Sequence, residues 1–229
     1  MAVKTNSRIF RLTFIDEVLA TTPGSEDVYR KHVRTKMRED ARKEGIELTD
    51  EKLDAEAALY DFDEVEKQGM TIFPKTEEGE PIIWAYQVKG NFKESCSMLK
   101  KADGALSAGL KAFKKEIDGL IFVNGTDPDN PDRIVIDTHG NPLGRCERPL
   151  RASTPQGERV SLACSETAPA GSTAILTIRC YRSALWPLIE EWLDYGADHG
   201  FMQWRNSGKG RFRWEEIDPE TGEVVKRER

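Results

Sequence analysis

The sequence predicts an α+β fold with a mostly antiparallel sheet. Two patterns alternate along the chain: short runs with an apolar residue at every second position, which are typical of half-buried strands, and longer stretches with apolar residues three or four positions apart, which are typical of amphipathic helices. Polar turns separate neighbouring strand-like runs and favour hairpins. With 38% hydrophobic and 32% charged residues, the composition is that of a globular chain rather than a disordered one.

The first predicted element is a strand near the N-terminus. Phe10, Leu12 and Phe14 alternate there with Arg11 and Thr13, so one face of the strand would be buried and the other polar. No apolar block precedes the strand, and no apolar run approaches the roughly 20 residues that a bilayer requires. We therefore expect a cytoplasmic protein with no membrane partner.

Residues 25–69 are predicted to form a charged helical insertion after the first strand. Ser25 and Thr49 are placed to cap its two helices. Residues 25–67 contain nine Lys/Arg and fourteen Asp/Glu, a net charge of −5 out of −6 for the whole chain. Two interpretations are open: a solvated excursion that packs loosely on the sheet, or an acidic surface that docks on a basic nucleic-acid-binding partner.

Strands and helices alternate through the middle of the chain. Residues 70–74 and 81–86 are predicted as two strands joined by a polar turn. A helical stripe over residues 105–118 is followed by strands at 119–123 and 133–137.

The segment around Gly90 is predicted to be a strand-to-helix junction. Asn91 is placed to cap a helix that would run to about Lys101, and unprotected amides near Gly90 could face a phosphate. Lys89 and Lys93 would then stand beside that phosphate. The segment lacks the spacing of a P-loop, so the motif is weak when taken alone.

The C-terminal half completes the predicted fold. We predict an irregular passage over 138–157, strands at 159–165 and 173–181, a helix from Ser183 to Gly196, a last strand from about Gly210, and a charged tail over 218–229. The order strand, helix, strand, strand, helix, strand gives a ferredoxin-like core with helices on one face, which RNA-recognition modules share. We expect a single domain over 1–217.

The segment most informative about function lies between the last helix and the last strand. Residues 196–214 combine glycines, cations and aromatic side chains, which suit close amide approach to an anion, attraction of phosphate and base stacking. The predicted contacts to a nucleic acid are Lys89, Lys93, Phe201, Trp204, Arg205, Lys209 and Arg211. A plainer interpretation is a hairpin turn at Gly208 and Gly210, with Phe212 and Trp214 in the core.

An amphipathic helix followed by Gln203-Trp-Arg-Asn-Ser-Gly-Lys-Gly-Arg-Phe212 resembles the signature of the RAMP superfamily of CRISPR-associated proteins. Residues 86–94 also resemble the equivalent junction in the crRNA-backbone subunits of that family. The resemblance implies a non-catalytic RNA-binding subunit of an antiviral ribonucleoprotein complex. Its partners would be RNA or single-stranded nucleic acid and other protein subunits. A mobile-element protein that mimics or inhibits a CRISPR complex through the acidic insertion would carry the same motifs.

The resemblance also raises the alternative of a metal-independent endoribonuclease. Repeat-processing members of the superfamily use a histidine beside a lysine or tyrosine, and the candidate here is His199, with Tyr195 or Lys209 as helper. A single histidine in a loop more often makes ordinary hydrogen bonds. We therefore expect binding without catalysis.

No cofactor or metal is expected. The four cysteines, Cys96, Cys146, Cys164 and Cys180, stand singly and show no zinc-binding spacing. Asp127, Asp129 and Asp132 alternate with prolines in a pattern that fits turns better than a calcium site.

Overall fold

The fold is seen in a computed structural model that describes residues 6–30, 57–60, 62, 69–154 and 157–228. The strands are β1 (Asn6–Phe14), β2 (Val18–Leu19), β3 (Thr22–Pro23), β4 (Met70–Ile72), β5 (Ile82–Trp84), β6 (Ile121–Asn124), β7 (Arg133–Asp137), β8 (Gly144–Thr154), β9 (Gly157–Ala168), β10 (Thr173–Cys180), β11 (Phe212–Ile217) and β12 (Val224–Glu228). The helices are α1 (Ala85–Leu99), α2 (Phe113–Leu120) and α3 (Trp186–His199). Most of the predicted insertion lies outside the described residues.

The larger sheet has the strand order β12-β11-β1-β10-β7-β5, with β6 beside β7 on the same edge of β10. Strand β1 pairs antiparallel with both β10 and β11, and β10 pairs antiparallel with β6. Following the chain gives β1, α1, β6, β10, α3 and β11, with the spatial order β11-β1-β10-β6. This is the ferredoxin-like α+β arrangement that the sequence predicts.

Helices α1 and α3 share one face of the larger sheet. Phe92 of α1 and Trp192 of α3 place their ring centroids 5.7 Å apart, and both belong to the core cluster that contains Phe10 and Trp214 of the sheet. Phe10 meets Trp214 edge to face at 5.7 Å. The predicted alternation in β1 and β11 is therefore confirmed, and the opposite face of the sheet carries the partly exposed positions.

The smaller sheet has the order β2-β9-β4-β3, and β8 pairs with β9 along its length. Residues 138–157, predicted as irregular, therefore contain a strand of eleven residues, β8. A second core cluster of Tyr29, Ala57, Tyr60 and Ile72 packs beside this sheet. Trp84 Nε1 lies 3.3 Å from the Tyr60 hydroxyl, so the described ends of the insertion pack against both sheets.

The prediction of a junction at Gly90 is wrong. Helix α1 begins at Ala85, because the Gln87 side chain accepts a hydrogen bond from the Trp84 amide at 2.8 Å and so forms an N-terminal cap. Gly90 and Asn91 lie inside the helix, where the amide of Gly90 cannot face a phosphate.

Three other elements differ from their predicted bounds. Strands β4 and β5 belong to different sheets, although the polar turn at 76–80 between them is present. The predicted helix over 105–118 is divided into a 3₁₀ turn at Leu106–Gly109 and helix α2, because Ala112 adopts a left-handed conformation with φ of 49°. Residues 224–228, within the predicted tail, pair with β11 as β12.

Candidate nucleic-acid interface

The glycine-rich loop, residues 200–211, is closed at its base by two glycines. The Phe201 amide donates to the Gly210 carbonyl at 2.9 Å. A Cβ at Gly210 would lie 2.1 Å from the Phe201 carbonyl oxygen, and one at Gly200 would lie 2.3 Å from the Lys209 carbonyl oxygen. Both glycines also have positive φ. No other residue type fits either position without moving the backbone.

Within the loop, consecutive amide groups are available to an anion. Met202 and Trp204 have φ of 69° and 57°, whereas Gln203 between them is not among the positive-φ residues. Residues of positive φ next to a residue of negative φ can turn successive N–H groups toward one side, as in an anion-binding nest. Among the residues that the structure describes, the amides of residues 202–206 have no backbone hydrogen-bond acceptor.

Arg148 of β8 connects this loop to the smaller sheet. Its side chain donates to Gln203 Oε1 at 2.5 Å and to Ser165 Oγ at 3.1 Å, and its Cζ lies 5.2 Å from the centroid of the Trp204 ring. Arg148 is buried. It therefore fixes the partly exposed Trp204 ring through a cation–π contact. The sequence places Arg148 only in the irregular passage and gives no sign of this role.

The three predicted cations of the loop are all paired with carboxylates. Arg205 donates to Glu94 of α1, Lys209 donates to Glu17 at 2.7 Å and Arg211 donates to Asp16 at 2.7 Å. The hydrogen bond with Glu17 raises the pKa of Lys209, so this side chain stays charged at all physiological pH values. The surface of the loop is consequently less basic than the number of cationic residues in its sequence indicates.

Lys89 and Lys93 face a different neighbour. Lys93 Nζ lies 2.5 Å from Asp118 Oδ1, and Lys89 donates to the Asp118 carbonyl at 3.1 Å. The residues of α1 that contact the loop are instead Asn91, which donates to the Gly200 carbonyl at 3.4 Å, and Glu94. The structure thus divides the predicted site between two faces of α1.

Three aromatic rings of the segment, Phe201, Phe212 and Trp214, are not accessible for base stacking. Phe201 is 4% exposed and belongs to the main core, so its prediction as a contact to nucleic acid is corrected: its ring packs in the core and offers no face to a base. Phe212 and Trp214 are also buried, as the plainer interpretation of the segment states. Trp204 is the loop aromatic that keeps a partly exposed ring.

His199 at the end of α3 belongs to a small polar cluster. Its ring stacks on that of Tyr195 with centroids 5.2 Å apart, and its Nε2 lies 3.4 Å from Glu94 Oε1. Partial burial, and next the Glu94 carboxylate, raise the pKa of Tyr195. Arg205 occupies the other oxygen of Glu94. Tyr195, proposed as a helper for His199, is therefore adjacent to it.

In the described part of the chain, no group of three or more His, Cys, Asp or Glu side chains is placed to hold a metal ion. No described helix has the length and apolar character needed to cross a membrane.

No protein-family profile matches the sequence, and no curated protein is similar to it. Among solved structures, the chain is similar to one chain of the cryo-EM structure of the Type III-B Cmr-beta bound to cognate target RNA, with a TM-score of 0.48 and 12% sequence identity. The alignment covers 94% of this chain and 61% of that one. The protein thus spans about three fifths of the length of the chain it matches.

Proposed function

We propose that this protein binds single-stranded RNA without cleaving it, in the manner of the crRNA-binding subunits that its loop sequence resembles. The observation that carries the proposal is the run of amides at residues 202–206, which have no backbone acceptor among the described residues and lie in a segment where Met202 and Trp204 have positive φ. Unpaired amides of such a segment can bind the oxygens of a phosphate. The neighbouring Trp204 ring, held by Arg148, supplies a flat surface for a base.

The ion pairs of the loop are compatible with phosphate binding because they are partly exposed. The Arg205, Lys209 and Arg211 side chains are 28%, 23% and 46% exposed. Ion pairs at such positions contribute about 0–1 kcal/mol. A phosphate that also receives the loop amides can therefore displace a carboxylate at small cost.

The test is the salt dependence of RNA binding by the double variant Arg205→Ala/Lys209→Ala. Each lost phosphate contact lowers the log–log salt slope by about 0.7 for a single strand, so we expect the slope to fall by about 1.4 and the affinity to drop. Lys111→Ala/Lys114→Ala removes the same charge from exposed positions at the start of α2 and should change little. Equal effects of both variants, or no binding by the wild type at low salt, would refute the proposal.

A second candidate function is metal-independent RNA cleavage at His199. The observation in its favour is the contact between His199, Tyr195 and Glu94, since a carboxylate that accepts from Nε2–H leaves Nδ1 as a base for a 2′-hydroxyl. Incubation of labelled hairpin RNA with a chelator distinguishes the two functions. Cleavage that His199→Ala abolishes would establish this candidate, and intact RNA would reject it.

We also propose that other protein subunits bind the β8–β9 hairpin. Val160 and Leu162 lie on one face of β9 and are 63% and 64% exposed, which is unusual for neighbouring aliphatic side chains. Leu150 of β8 pairs with Ser161, lies on the other face and is 48% exposed. Leu162→Lys should prevent co-purification with partner proteins from the native cell and leave RNA binding by the isolated protein intact. The mimic or inhibitor interpretation depends on the acidic segment 25–69, and replacing its carboxylates by amides tests it in the same assay.

A further inference from the structure

The outer face of the larger sheet, opposite α1 and α3, carries an aromatic patch at its β6 edge. The patch consists of Phe122 of β6, Arg179 of β10 and Tyr181, which follows β10. Phe122 and Arg179 are direct cross-strand partners, and the Tyr181 amide donates to the Leu120 carbonyl at 3.0 Å. Strand alternation therefore places all three side chains on the same face.

The two rings of this patch are open to solvent. Phe122 and Tyr181 are 38% and 39% exposed, and their centroids lie 5.5 Å apart at an interplanar angle of 67°. A nearly perpendicular pair presents the face of one ring beside the edge of the other, so a planar ligand can stack on one ring and touch the second.

Two cations lie close to the ring of Phe122. Arg179 Cζ lies 5.8 Å and Lys89 Nζ 5.5 Å from its centroid. A second outward arginine, Arg213 of β11, is exposed on this face, and neither it nor Arg179 forms an ion pair with a described residue. This differs from the glycine-rich loop, where each predicted cation has a carboxylate partner. Aromatic rings beside Arg179, an arginine without a carboxylate partner among the described residues, favour a ligand that is both flat and negatively charged.

An open depression of about 320 Å³ adjoins the patch. Ser7, Ile9, Thr177 and Val225 line it, and Ser7 is the cross-strand partner of Arg179. Glu216 and Asp218 line it as well, and backbone hydrogen bonds from Thr221 and Glu220 lower the pKa of Asp218. Arg8 also lines the depression and lies 3.6 Å from Glu216. The charges of that pair offset each other, and the remaining negative charge of Asp218 favours an uncharged group such as a base over a phosphate.

We propose that this patch is a second site for single-stranded RNA, where an unpaired base stacks on Phe122 or Tyr181 and Arg179 contacts the adjacent phosphate. The site shares its ligand class with the proposed function but none of its residues with the glycine-rich loop. Lys89, predicted from the sequence as a phosphate contact, is assigned here to the edge of the patch.

The test is binding of a short oligoadenylate and of an abasic strand of equal length to Phe122→Ala, Phe122→Leu and Phe122→Trp. Because base stacking on an aromatic ring contributes about 1–3 kcal/mol, Phe122→Ala and Phe122→Leu should each weaken oligoadenylate binding about ten-fold. Phe122→Trp should retain it, and binding of the abasic strand should not change. Leu106→Ala, at another exposed apolar residue, is the control.

Affinity for oligoadenylate that is unchanged in Phe122→Ala and Phe122→Leu would overturn the proposal. So would a loss in Phe122→Ala that Phe122→Leu restores, because an apolar surface for a protein partner would tolerate leucine. Photo-cross-linking separates this site from the loop. A cross-link to the tryptic peptide 116–133 that persists in Arg205→Ala/Lys209→Ala supports the patch even if the loop binds nothing, and absence of that cross-link in the wild type refutes it.

Discussion

The glycine-rich loop and the outer face of the larger sheet both carry cationic and aromatic side chains, but they differ in whether the cations have carboxylate partners. In the loop, Arg205, Lys209 and Arg211 each contact a carboxylate from another part of the chain. On the sheet face, Arg179 and Arg213 have no such partner among the described residues. Yet the loop has amides without a backbone acceptor among the described residues, and the sheet face has exposed rings. Residue type thus indicates which chemistry a segment can perform, whereas the fold decides which groups are available.

The two regions should also differ in how far they depend on a fixed backbone. The loop obtains its amides from a conformation that Gly200 and Gly210 impose, whereas the sheet face obtains its rings from ordinary strand alternation. A substitution that distorts the loop backbone should therefore abolish RNA binding at the loop and leave RNA binding at the sheet face unchanged.

Gly210→Ala should have the largest effect of the changes considered. Its new Cβ would meet the Phe201 carbonyl oxygen at 2.1 Å, with φ of 70°, and we expect the free energy of unfolding to fall by roughly 3 kcal/mol. Gly208→Ala is the matched control, because Gly208 has φ of 82° but only the flexible Arg211 side chain nearby. Gly208→Ala should lower the free energy of unfolding by about 1–2 kcal/mol. Urea denaturation measures both, and equal losses would show that the loop closure is not constrained as described.

The sequence predicts the fold well because the alternation of apolar residues in strands and their periodicity in helices are local patterns, which can be recognised without the tertiary structure. Phe10, Leu12 and Phe14 are buried as their spacing requires, and α3 lies close to its predicted bounds. The sequence does not predict where α1 begins, since Trp84 is not a usual cap residue and the cap comes from the Gln87 side chain.

The candidate site is less predictable for a physical reason. Glu17 lies 192 residues from Lys209, and Asp16 lies 195 residues from Arg211, so no local pattern reveals that these charges compensate one another. Phe122 and Tyr181 are likewise brought together only by the pairing of β6 with β10. Arg148 was missed because a single arginine in a polar passage gives no signal of burial.

Neutralising Glu94 should strengthen binding at the loop. Glu94→Gln removes the carboxylate partner of Arg205 and His199 and frees one guanidinium for phosphate, so we expect a three- to five-fold gain in affinity for the abasic strand, which corresponds to about 1 kcal/mol. Fluorescence anisotropy at low salt measures the gain. Glu77→Gln makes the same charge change at an exposed turn position. A gain of equal size there would mean that net charge, rather than the release of Arg205, sets the affinity.

The smallest expected effect, protection of a thiol, distinguishes the two regions in the wild-type protein. Cys146 lies on the face of β8 that also carries Arg148, and its side chain is half-buried, so RNA at the loop should slow its alkylation by iodoacetamide a few-fold. Cys96 and Cys180 are buried, and burial raises the pKa of both thiols, which keeps them unreactive at pH 8 while the protein is folded. Cys164 is buried as well, so mass spectrometry of the alkylated protein can follow Cys146. RNA that binds the sheet face alone should leave its rate unchanged, because Phe122 and Tyr181 lie on the other sheet. An unchanged alkylation rate of Cys146 at saturating RNA, together with a cross-link to peptide 116–133, would show that RNA binds at the sheet face and not at the loop.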